Sequence, residues 1–169
     1  MIESLVEIVE VAIERKLCFH EKHLRHLLNN NFSIVQDSIE EKGMEMADVQ
    51  FTIMKFLKEF PKTLNGIKHS ELYAKGADLL CLILNTLNVE ITKEECFIFF
   101  HIREIGKFRT KEDIVFKELK SHWGMHKDYK LEEDDFLEAV RELKNHGLIG
   151  HRRGTITLNE ATVFRYKYA

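Results

Sequence analysis

The sequence predicts a mainly α protein in which an N-terminal helical layer packs on a C-terminal lobe closed by a small β-hairpin or three-stranded sheet. Three observations carry this. Through about residue 90, apolar residues recur at spacings of three and four with few β-branched alternations, which is the helical period. "TKEE" at 92–95 and "TKED" at 110–113 have the spacing of helix-start signals. Beyond residue 147 the period falls to two around the turn "RRGT". A chain of 169 residues, 44% of them hydrophobic, can fill the core this needs.

In the first half, Ile2, Leu5, Val6, Val9, Ala12 and Ile13 form the stripe of a first helix. Leu24, Leu27 and Leu28 mark a second, closed by Asn29, Asn30 and Asn31, because asparagine tolerates the left-handed geometry of a turn. "SIVQDSIEEKG" is expected to be a further helix stopped near Gly43. "MADVQFTIMKFLKEF" is expected to be another, stopped by Pro61, the only proline. "HSELYAKGADLLCLILNTLN" puts Leu72, Leu79, Leu82, Ile83 and Leu87 on a deeply buried helix, with Gly76 as a bend or close-contact point.

The second half is punctuated more sharply. Thr92 and Glu95 form a capping box, and the aromatics "FIFF" that follow belong to the core. Thr110 and Asp113 repeat the signal ahead of a helix carrying Ile114, Val115, Leu119 and Trp123. A third helix contains Phe136, Leu137, Val140 and Leu143. Gly147 ends it in a left-handed conformation, which sets Leu148 against Leu143. Ile149, Ile156 and Leu158 alternate about Gly154 as a hairpin, and "TVFRYKY" is an additional strand with Phe164, Tyr166 and Tyr168 on one face. The expected division is a helical domain over 1–90 and a second domain over 91–169.

Composition narrows the function. Charged residues, 31% of the chain, nearly cancel to a net of -3, so no global basic field attracts nucleic acid and any such contact must be local. No secretory signal opens the chain and no apolar run reaches the roughly 18 residues of a membrane span, so a soluble, cytoplasmic protein without a membrane partner is expected. Cys18, Cys81 and Cys96 are widely spaced without a CxxC pair, as reduced, buried thiols would be. Phosphate loops, nucleophile elbows and dinucleotide fingerprints are missing, so neither catalytic residues nor a cofactor is expected.

Two histidine groups stand out. His20, His23 and His26 recur at intervals of three on a helix, where neighbouring pairs could share a metal, although all three together fan around the axis. They are weak metal candidates and are read first as surface histidines, with a metal- or ligand-sensing helical protein as the third functional reading. His122 and His126 flank Gly124, whose turn-forming context separates them.

Residues 136–158, "FLEAVRELKNHGLIGHRRGTITL", resemble the recognition helix and wing of the winged-helix branch of the helix-turn-helix superfamily. The resemblance covers about residues 92–169 and leaves the first half without a counterpart. It implies a non-enzymatic cytoplasmic regulator of transcription whose helical half forms a homodimer and whose second lobe binds double-stranded DNA. Leu131 to His146 then correspond to the recognition helix, and His151, Arg152 and Arg153 to the wing. The DNA-binding set it implies is Arg152, Arg153, His151, Arg141, Asn145 and Lys144.

The recognition helix nevertheless opens with Glu132, Glu133, Asp134 and Asp135. Acids there suit the positive end of the helix dipole, yet repel a phosphate they point at. From Arg141 onward, Arg141, Lys144, Arg152, Arg153, Arg165 and Lys167 stand against Glu142 and Glu160, so charge is divided along the lobe. The alternative expectation is a protein–protein interaction module whose winged helix does not bind DNA, with Glu133, Asp134 and Glu138 facing a protein partner.

Overall fold

The computed structural model describes residues 3–16, 20–41, 43–63, 69–106, 109–123 and 131–167. The helices among them are α1 (Glu3–Glu14), α2 (Glu21–Asn31), α3 (Ile53–Thr63), α4 (His69–Thr86), α5 (Lys93–Gly106), α6 (Glu112–Trp123) and α7 (Glu133–Asn145). The strands are β1 (Phe32–Glu41), β2 (Met44–Phe51), β3 (Arg109–Lys111), β4 (Ile149–Arg152), β5 (Thr155–Leu158) and β6 (Thr162–Lys167). The mainly α expectation holds at this level, but the strands fall into two antiparallel sheets, β1-β2-β6 and β3-β5-β4.

The first sheet corrects the reading of the first half. Of residues 33–43, expected to be a helix, 33–41 form most of β1. The helix expected over 46–60 is β2 followed by α3. Ala47, Val49 and Phe51 alternate inward and meet Tyr166, Phe164 and Thr162 of β6, a segment distant in sequence. That long-range partner overrides a local pattern that also fits a helix. Gly43, at φ +75, lies in the connection between the two strands.

Smaller departures have local causes. Leu5, Ile8, Val9 and Ala12 are buried on α1 while Val6 and Ile13 are exposed, so the stripe is rotated from the expected one; Ile2 lies outside the described residues. Asn31 makes no left-handed turn. It is buried, its Nδ2 donates to the Leu27 carbonyl at 2.7 Å and to Glu59 Oε2 at 3.1 Å, and Thr52 Oγ1 donates to its Oδ1 at 3.1 Å. The chain passes directly into β1. Pro61 sits inside the last turns of α3, which continues to Thr63.

The tail strand behaves as its alternation predicts, with Phe164 and Tyr166 buried and Val163, Arg165 and Lys167 exposed, while Tyr168 lies outside the described residues. Its pairing partner is β2, and Arg165 Nε reaches Asp48 Oδ1 at 3.0 Å across that pair. The third strand of the hairpin sheet is instead β3, from the residues expected to cap a helix. Thr110 lies opposite Ile156, and the first turn of α6 is fixed by the Glu112 amide donating to the Gly154 carbonyl at 2.9 Å.

One contiguous core runs from α1 through α7 to the inner faces of both sheets. Phe32 stacks on Phe51 with ring centroids 4.5 Å apart, and Phe60 meets Phe100 at the same separation. Gly76 is the close-contact point its sequence context suggests: a Cβ there would lie 2.8 Å from the Phe60 ring and 3.3 Å from that of Phe100. No helix of the described residues is long and apolar enough to cross a membrane.

Candidate phosphate-binding face and acidic groove

Residues 93–158 run helix, strand, helix, helix and hairpin, with the short strand β3 pairing on β5 so that the sheet order is β3-β5-β4. Three local signals set this geometry. Thr92 Oγ1 accepts from the Glu95 amide and Glu95 Oε2 accepts from the Thr92 amide, both at 3.1 Å, which is the expected capping box at the start of α5. Gly147 at φ +75, with Leu148 N donating to Leu143 O at 3.0 Å and Gly147 N to Lys144 O at 2.9 Å, ends α7 as a Schellman motif. Arg153 and Gly154 at φ +50 and +72 then form a two-residue primed turn.

The turn fixes which side chains share a face. Arg109 pairs with Thr157 and Thr157 with Gly150; Lys111 pairs with Thr155 and Thr155 with Arg152. Because alternate residues of a strand point to the same side, Arg109, Lys111, Thr155, Thr157 and Arg152 stand on one face, and Thr110, Ile156 and His151 on the other. Lys111 Nζ donates to Thr155 Oγ1 at 3.2 Å, which holds the ammonium over the sheet. Gly150 keeps the surface low, since a Cβ there would come within 2.6 Å of Thr157 Oγ1.

An open cleft of about 590 Å³ results, lined by Arg109, Lys111, Arg152 and Arg153 together with His151, Gly150 and the two threonines. No carboxylate is among these described lining residues. Glu112 is held at the inner side, where its Oε2 lies 2.6 Å from His151 Nε2 with both side chains about two-thirds buried. Four cations around hydroxyl groups and bare backbone suit an extended polyanion, because each can hold a separate anionic oxygen.

The cleft takes in Arg152 and Arg153 of the expected set and adds Arg109 and Lys111, which sequence reasoning missed; His151 borders it, but its side chain is turned to the other face of the sheet, against Glu112. Arg141, Lys144 and Asn145 are not part of this cleft. They lie on α7, whose inward face is Phe136, Ala139, Val140 and Leu143. Arg141 Nη2 donates to Glu138 Oε1 at 3.3 Å and Asn145 Nδ2 to Glu142 Oε1 at 3.5 Å, so both address carboxylates of their own helix. These contacts are solvent-exposed and worth little, but they leave the outward face of α7 with mixed charge.

A second concavity has the opposite sign. Glu94, Glu95, Asp135 and Glu138 surround Ile98, Leu131 and Ala139 in a groove of about 330 Å³ between the starts of α5 and α7. Burial, reinforced by Glu142 and Glu94, raises the Glu95 carboxyl above the usual range, while the Thr92 amide and His146 oppose the shift. Of the three acids expected to face a partner, Glu138 lines this groove. Glu133 and Asp134 are exposed elsewhere on the first turn.

His20 and His23 bring their rings to 5.3 Å, and His26 Nε2 shares a hydrogen bond of 2.7 Å with Asn30 Nδ2. His23 and His26 line a small pocket of about 120 Å³ with Glu59 and Lys62. Among the described residues no three His, Cys, Asp or Glu side chains converge as metal ligands. Cys18 and His126 lie outside the described residues.

No known family model, curated protein or solved structure matches the chain.

Proposed function

We propose that residues 93–158 act as a winged-helix module in a cytoplasmic transcription regulator, and that this module holds duplex DNA by its phosphates through the outer face of the β3-β5-β4 sheet. The observation that carries the reading is the placement of Arg109 and Lys111 beside Arg152 on one open face. Strand pairing sets β3 and β4 about 10 Å apart, and alternate residues on a strand about 7 Å apart, so the cations form a grid that can meet several phosphates at once. With about four contacts, log affinity should fall against log salt with a slope of about −3 to −4.

Arg153 supports the same reading. A left-handed conformation disfavours arginine and suits Asn, Asp or Gly, so an arginine placed there against a backbone preference favours a role for its guanidinium. The acidic first turn of α7 opposes deep insertion of that helix into a major groove, so backbone contact by the sheet is favoured over base readout by the helix. The module is proposed as non-enzymatic, and the homodimer belongs to the same reading; light scattering measures it directly.

Fluorescence anisotropy of a labelled random-sequence duplex tests this proposal. Wild-type protein should bind at low salt and release steeply as salt rises. The folded double variant Arg109→Glu, Arg152→Glu should lose at least tenfold in affinity, and an unchanged affinity would sink the assignment.

A second reading rests on the acidic groove. Its apolar floor of Ile98, Leu131 and Ala139 beneath four carboxylates fits a basic, partly apolar segment of a protein partner. Glu138→Lys with Asp135→Lys should then abolish capture of an amphipathic basic peptide while duplex binding persists. Peptide retention by that variant argues against the groove.

A further inference from the structure

Glu112 touches the hairpin on both sides of its two-arginine tip. Its amide donates to the Gly154 carbonyl at 2.9 Å, and its Oε2 lies 2.6 Å from His151 Nε2. The same carboxylate lies beside Gly154, where a Cβ would sit 3.7 Å from Oε1. His151 and Gly154 bracket Arg152 and Arg153, and Lys111 immediately precedes Glu112. Three of the four cleft cations are thus chain neighbours of a clamped residue. We propose that Glu112 is a positioning residue of the β3-β5-β4 face, holding Arg152 and Arg153 in register with Lys111 through its bond to His151.

The tip needs such a clamp. β4 and β5 have four residues each and β3 only three, so few ladder hydrogen bonds resist opening at the end of the hairpin. Four like charges repel one another across the outer face, and Arg153 holds a left-handed conformation that arginine disfavours. Glu112 opposes this loosening from the inner side, where its charge is near the cations yet turned away from whatever they hold. An ionised carboxylate only accepts, so His151 Nε2 carries the hydrogen and donates. Both side chains are about two-thirds buried, which strengthens the bond relative to one in open water. His151 is itself fixed by its place on β4, opposite the buried Ile156.

The effect on duplex binding rests on the phosphate-binding role proposed above. As a charge alone, a carboxylate beside that face weakens binding, and its removal should tighten it. As a clamp it does the reverse, because a freed tip must be ordered again when it grips a phosphate. Charge and positioning therefore give opposite signs for one substitution.

Glu112→Ala and Glu112→Gln remove the same charge, but only glutamine can still accept from His151. With folding checked by circular dichroism, hydrogen exchange is followed by mass spectrometry on the full chain without DNA. Across residues 149–158 it should run at least tenfold faster in Glu112→Ala and return towards the wild-type rate in Glu112→Gln. His151→Ala should match Glu112→Ala, and the double variant should add nothing further, since both act through one bond. At equal salt, Glu112→Ala should bind a labelled duplex at least threefold more weakly than Glu112→Gln. Unchanged exchange in Glu112→Ala, or equal acceleration in the alanine and glutamine variants, would overturn the clamp. His151→Ala breaks the same bond from the other side and decides the matter even where Glu112→Ala fails to fold: unaltered exchange there also overturns it. Faster exchange in the alanine variants of a protein that binds no duplex would uphold the clamp and remove the phosphate-binding role instead.

Discussion

Lys111 and Arg152 flank Thr155 from opposite sides of the central strand, on the same open face of the hairpin sheet. Neither position is adjacent to the other in sequence, and strand pairing alone makes them neighbours. If they act as phosphate ligands, their contributions should separate from those of α7. Arg109→Ala should reduce the salt slope of duplex binding by about 1 and weaken all sequences uniformly, whereas Asn145→Ala should leave both unchanged. Anisotropy titrations at several salt concentrations measure the slopes.

Arg153 links stability and binding in opposite directions. Asparagine tolerates the left-handed conformation better, so Arg153→Asn should stabilise the fold by about 0.5–1 kcal/mol while weakening duplex binding. Thermal denaturation and anisotropy on one preparation check both signs.

Gly76→Ala sets helix propensity against packing. Alanine gains up to about 1 kcal/mol in a helix interior, but the added methyl meets a Phe60 ring confined between Phe56 and Phe100, and overpacking costs about 1–3 kcal/mol. The net effect should be a lower Tm. A raised Tm would show that the ring can move aside.

Removing the Thr92 hydroxyl tests the capping box. Thr92→Ala should cost about 1 kcal/mol, because the Glu95 amide loses its acceptor at a helix end. Urea denaturation gives the difference directly.

The Cys81 thiol carries a pH dependence. The thiolate is the form that reacts, and the Cys81 thiol is lowered from 9.0 to about 7, so its alkylation by iodoacetamide should rise through a midpoint near pH 7. Replacing Asn85 with leucine removes a donor to the sulfur and should move that midpoint upward. Alkylation rates read by peptide mass spectrometry follow each cysteine separately.

These sites were unequally legible in the sequence. Signals contained within four or five residues were readable: the Thr92 and Glu95 box, the Gly147 stop and the alternation of Phe164 and Tyr166, because each fixes its own backbone geometry. Residues 33–51 were not, since their apolar spacing suits either period and the deciding contact is β6. Arg109 and Lys111 sat beside what read as a helix cap, so their alternation was too short to register as a strand.

The pairing of β2 with β6 also bears on the order of assembly. An isolated two-stranded ribbon is at best marginally stable in water, so β1 and β2 gain their third strand only after residues 162–167 have been synthesised. Every element from α3 to β5 is made in the interval, while the β2 edge stands open to other chains. Segments in this condition are prone to intermolecular strand addition, which makes the first half dependent on a strand synthesised after every other described element.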